Sequence, residues 1–197
     1  APSRSLRPVE EIAARLMSLH ALFSWVVFAE QHVVSERIEG YLGRNNLRAW
    51  LTDEELEILS LSRAEAHEEH ADSIGWKLEN MWPLAWVLGF EPPPWVASTR
   101  IRPDISRSMV IDYMPGLERT IADTLAKATP RSTDEVIALE YRFHCAHNSV
   151  RRAQRGEATV PGGFLPIYLG GAVRERRHGL TWCLSPSVSW VETDLST

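Results

Sequence analysis

Glu140, His144 and His147 stand at spacings of four and three in EYRFHCAH, and Glu175, His178 and Trp182 at three and four in ERRHGLTW. On a helix each set shares one face. Two chemistries suit such groups. A carboxylate that orients a histidine makes a general base, and a nearby guanidinium grips an anion. Alternatively, Glu-x-x-x-His chelates a metal, and His67 and His70 in EAHEEHAD would complete a four-ligand set. That second stretch is strongly polar, however, and reads as a solvated face. A histidine edging an apolar face is more often hydrogen-bonded than metallated, and His20, among Leu16, Phe23 and Val27, reads the same way. The H-E-x-x-H of zincins and the P-C-x-x-C of deaminases are missing. So are G-x-G-x-x-G, the P-loop and G-x-S-x-G. No metal and no other cofactor is expected.

The elements that would position these groups are helices. On a wheel of 168–184, Leu169, Val173, Leu180, Cys183 and Leu184 form an apolar stripe with Arg176 in its middle. Arg174 points away from the stripe, so RERR is not one basic patch. A guanidinium does not deprotonate, and on such a stripe it must meet a carboxylate or several carbonyls. The preceding helix, running from Thr133 as cap to Arg155, buries Val136, Leu139, Phe143, Ala146 and Val150 and carries Glu140, His144 and His147 along the edge. The two helices are connected so that they pack antiparallel, and Glu140 is the expected partner of Arg176.

Earlier in the chain, apolar residues from Val9 to Val27 recur at helical spacing, with Pro8 suited to the first turn. A shorter helix covers 34–43. Thr52 with Glu55, and Ser62 with Glu65, are capping-box signatures that open two more. IGWKLENMWPLAWVLGF, residues 74–90, is apolar on almost every side and predicts a core helix kinked by Pro83 near Met81 to Trp82 and ended by Gly89. Residues 91–108 read as a loop, 115–128 as a weaker helix, 155–166 as a loop. The expectation is an all-α fold, an irregular bundle of six to eight helices in one domain, 1–197.

Bulk properties narrow the function. At 44% apolar and 24% charged, the 197-residue chain has the composition of a globular protein and not of a disordered one. A net charge of −5 opposes nucleic-acid binding. The apolar run 16–29 falls short of the ~20 residues a membrane span needs. Cys145 and Cys183 have no C-x-x-C spacing, as suits a reduced, cytoplasmic protein. Neither a membrane nor a nucleic acid is an expected partner.

GWKLENMWPLAWVLGF resembles the W-x-x-E…L-x-W-x-L-G segment of a bacterial domain-of-unknown-function family, number 4272. RSTDEVIALEYRFHCA resembles its R-S-x-x-E-I and Y-R-x-H-W-A, and VRERRHGLTWCL its closing V-x-E-R-x-x-A-L-x-W-L, followed by Trp190. Pro83, Cys145 and Val191 depart from that pattern. The resemblance implies a fold and no activity. On matching positions it singles out Tyr141, Arg142, His144, Glu175, Arg176 and Trp182 as a buried polar network or an anion pocket. The leading expectation is a non-enzymatic accessory domain that binds a protein partner of unknown identity, with this network, including Glu140, fixing the last two helices. The alternative is a small-ligand-binding or hydrolytic enzyme. In that reading His144 is the base, Glu175 or Glu140 orients it, and Arg142 or Arg176 holds an anion. The first predicts an apolar patch near Trp95. The second predicts a pocket where His144, Arg142 and Glu175 converge.

Overall fold

A computed structural model describes residues 4–97 and 99–197, with the side chains at 167–169 outside that description, so the place of Leu169 on the stripe is not assigned. The chain begins with α1 (Val9–Val27), whose Ile12, Leu16, Met17, Leu19 and Leu22 are fully buried. Burying each such side chain stabilises by roughly 1.5–3 kcal/mol, so this face alone anchors the core. Then come α2 (Ser35–Arg44), a 3₁₀ turn (Leu47–Trp50), α3 (Asp53–Ser60) and α4 (Arg63–His70). Both predicted capping boxes form: Thr52 Oγ1 accepts from the Glu55 N–H and Ser62 Oγ from the Glu65 N–H. The central helix α5 (Trp76–Val87) stays helical through Pro83 and is buried from Glu79 to Val87.

Gly89 follows it with φ of 118°, where a Cβ would lie 2.4 Å from Thr129 Oγ1, so both the turn and the close approach require glycine. The expected loop 91–108 contains a short helix, α6 (Pro103–Arg107), which leads into a π-helical turn at Ser108–Tyr113. The helix expected over 115–128 is only α7 (Ile121–Lys127), capped by Thr120. In α8 (Thr133–Gln154) the cap is Ser132, whose Oγ accepts from the Glu135 N–H, and not Thr133. The capping pair sits three residues apart, and Ser132 with Glu135 fits that spacing where Thr133 does not. The last helix, α9 (Pro166–Cys183), packs between α8 and α5, and α5 in turn packs on α1. Among the described residues the regular elements are all helical, the expected set plus the short α6. The apolar side chains form one continuous core.

Helix ends leave carbonyls unpaired, and here arginines satisfy them. At the end of α9, Arg7 donates from Nε to the Trp182 carbonyl and from Nη2 to those of Ser185 and Val188. At the end of α1, Arg63 donates to the carbonyls of Trp25, Phe28 and Val33. No helix is long and apolar enough to cross a membrane, among the residues described.

Candidate functional site

The three arginines of RERR diverge as the wheel requires. Arg174 is exposed, whereas Arg176 and Arg177 are buried. Arg176 Nε donates to Glu79 Oε2 on α5 at 2.7 Å. Its remaining donors reach the carbonyls of Trp95 at 2.8 Å and Thr99 at 2.5 Å. Glu79 Oε1 accepts the Ile101 N–H at 2.6 Å, so the pair staples the irregular segment after α5 onto both helices. The expected partner, Glu140, is therefore replaced by Glu79. Helix α9 has a neighbour on each side, and residue 176 faces α5 while residue 177 faces α8. Asn80, next to Glu79, donates to Glu175 Oε2 at 2.8 Å, so consecutive residues of the two helices pair in reverse order.

Glu140 belongs to a second network. Its Oε1 accepts from Thr181 at 3.0 Å and lies 3.5 Å from Arg177 Nε, and its Oε2 accepts from Arg4 at 2.7 Å. Arg177 donates from Nη1 to His147 Nδ1 at 2.8 Å and from Nη2 to His144 Nδ1 at 2.9 Å. The same nitrogens hold the carbonyls of Leu195 and Ser196, clamping the tail to α9. A guanidinium thus occupies the space that the Glu140, His144 and His147 spacing could have offered to a metal. Burial, and then Arg177, Arg151 and Arg174, push His147 down to about 4, so the ring is neutral and accepts from Arg177. His67 Nδ1 meets the Val26 carbonyl at 3.0 Å, at the end of α1. Among the described residues no group of three or more His, Cys, Asp or Glu is arranged to hold a metal ion.

The other face of α9 lines an open cleft of about 720 Å³. Its floor is a buried ion pair, Arg15 of α1 with Glu55 of α3. Arg15 Nη1 and Nη2 donate to the two carboxylate oxygens at 2.6 and 2.9 Å. Lys77 adds a bond to Glu55 Oε1 at 2.8 Å from the rim. Burial pushes the Glu55 carboxyl up, but hydrogen bonds and charge from Arg15, then Lys77, outweigh it and hold the group at about 2. The walls are aromatic. Trp190 from the tail lies over the Arg15 guanidinium at 4.2 Å and stacks on His178 with centroids 4.1 Å apart. That ring face partly compensates Arg15 Nε, which is buried without a hydrogen bond. Trp182 tilts against Trp190 at 5.5 Å and meets the Trp50 edge at 6.5 Å. His178 Nε2 donates to the Trp190 carbonyl at 2.8 Å, which leaves Nδ1 with the lone pair. Burial lowers its proton affinity, against the Trp190 carbonyl and Glu175, which raise it.

The singled-out residues therefore fall in four places. Glu175 and Trp182 line the cleft, Arg176 is sealed behind it, and His144 and Glu140 join Arg177. Tyr141 and Arg142 lie on the exposed face of α8 and touch neither network. His144, Arg142 and Glu175 do not converge. Trp95 is half-buried against Trp82, with its carbonyl taken by Arg176. Sequence reasoning missed Arg15, Glu55 in its second role, Lys77 and Trp190. The signal for Arg15 was a charge inside the apolar face of α1, and for Glu79 a charge inside the most apolar run of the chain. Among the described residues, seven of the eight tryptophans carry a guanidinium over the ring.

No curated protein and no solved structure matches this chain. One family model does, over residues 2–193, nearly the whole sequence and every helix of the cleft and networks. The chain belongs to the family described as Domain of unknown function (DUF4272).

Proposed function

We propose that this domain binds a small polar ligand in the cleft between α1, α3, α5, α9 and the tail, and that the buried arginine networks are the frame holding its walls. One observation carries the reading: a cleft of about 720 Å³ with a rigid charged floor and three tryptophans on its walls. Ligand sites are concave and of this size, with aromatic walls and a few placed polar groups. Lys77, Glu175 and His178 supply those groups. A fragment screen by ¹⁵N NMR tests it, because the indole N–H signals report on each wall. Fragments are expected to move Trp50, Trp182 and Trp190 together and to leave Trp25 and Trp82 in place. The N–H groups of those two are bonded internally, to Leu61 and Pro92. Hits scattered evenly over all indoles, or none at the cleft, would count against binding there.

A second reading, hydrolysis, draws on His178. Its tautomer is fixed by the Trp190 carbonyl, and the Nδ1 lone pair suits a general base. Under this reading the base is His178 and not His144, whose Nδ1 is occupied by Arg177.

A further inference from the structure

We propose that a second cavity, between α8, the first turns of α9 and the C-terminal tail, binds a small tetrahedral oxyanion of the phosphate class. It has a volume of about 430 Å³ and lies on the opposite side of α9 from the ligand cleft. Its described polar lining is His147, Arg151 and Gln154 of α8 and Arg174 of α9, with no aspartate or glutamate among the described lining residues.

Each group is placed as a donor. His147 is only 6% exposed, and its Nδ1 accepts from Arg177, so the neutral ring carries its proton on Nε2. That N–H has no hydrogen bond within the described residues and is not sealed from the cavity. Arg151 makes no ion pair among the described residues, although the adjacent Arg152 takes Glu157. Arg174 commits Nη1 to Glu175 and keeps the rest of its fork. Gln154 is fixed by donating to the Pro166 carbonyl at 2.9 Å.

The field points the same way. Arg177, Arg151 and Arg174 all act on His147 electrostatically, after burial, to hold it neutral. The acids that act on these arginines, Glu140, Glu175 and Asp194, do not line the cavity, although Asp194 adjoins the lining Leu195. Two guanidinium forks and one imidazole N–H, projecting from two helices, match the several acceptors of a tetrahedral oxyanion better than the two of a carboxylate. Gly170 lets α8 and α9 approach closely enough for this, since a Cβ there would lie 2.5 Å from Val150 Cγ1.

The site is tested by following the His147 Hε1 resonance at neutral pH and constant ionic strength. Inorganic phosphate, glycerol 3-phosphate and acetate are titrated separately. The two phosphates are expected to saturate, and acetate is not. Tighter saturation by glycerol 3-phosphate identifies a phosphoryl group on a larger molecule; equal or tighter binding of inorganic phosphate identifies the free ion. Arg151→Ala, an exposed change outside the first cleft, is expected to weaken phosphate about tenfold, and Arg152→Ala to leave it unchanged. No saturable movement up to tens of millimolar, or a titration that Arg151→Ala leaves intact, would overturn the proposal.

Discussion

Arg174, Arg176 and Arg177 are chemically identical and nearly adjacent, yet their surroundings give them separate roles. Arg176 is locked against Glu79, Arg177 holds two histidines and the tail, and Arg174 remains on the ridge between the two cavities. The pH dependence of stability follows from such environments. His147 and His20 are held near 4, His147 by burial and nearby guanidiniums and His20 by burial alone. The unfolded chain takes up these protons near 6.5, so between about 6.5 and 4 it binds more protons than the folded one. Their contribution is complete above that window and is lost as pH falls through it. Glu55, held at about 2, adds a second loss below its ordinary 4.5. Melting temperature is expected to fall steadily from pH 6.5 to 4, and His147→Gln to flatten the slope, because glutamine can still accept from Arg177 without titrating. An unchanged slope in that variant would show that His147 is not among the groups responsible.

At the level of the element, α9 works because it fits closely between two others. A Cβ at Gly179 would sit 2.5 Å from Pro83 Cγ and 3.2 Å from the Asn80 carbonyl. Gly179→Ala is therefore expected to destabilise by about 1–3 kcal/mol through overpacking, whereas Gly162→Ala, with open space around it, should cost far less. Denaturant midpoints of the two variants make the comparison, and equal midpoints would contradict it. The capping boxes at Thr52 and Ser62 and the face of α1 were legible in the sequence because they depend on neighbours three or four residues apart. The partner of Arg176 was not. A wheel gives the angle between residues 176 and 177, but which angle faces α5 and which faces α8 is set by long-range packing. The same limit hid Glu55, whose capping role is local and whose bond to Arg15 spans 40 residues. It also hid the cleft, because Trp190 reaches its floor only through the fold of the tail.

For the whole molecule, the arginine–tryptophan pairs give the tryptophans a role beyond packing. Guanidiniums stacked on indoles bring charge into the interior, where they tie loops and helix ends to one core. Helix α9 is central to this frame, with its buried arginines inside and a cavity on each side. The claim that architecture rests on the buried members and not on the charge of RERR as a whole is tested most directly by the melting temperatures of Arg176→Ala and Arg174→Ala. Removing Arg176 strands Glu79 and three carbonyls, and breaking a buried pair costs about 3–5 kcal/mol. The expected result is a midpoint roughly 10 °C below wild type for Arg176→Ala. Arg174→Ala, a surface change, should stay within about 0.5 kcal/mol of wild type. Equal midpoints for the two variants would contradict the account.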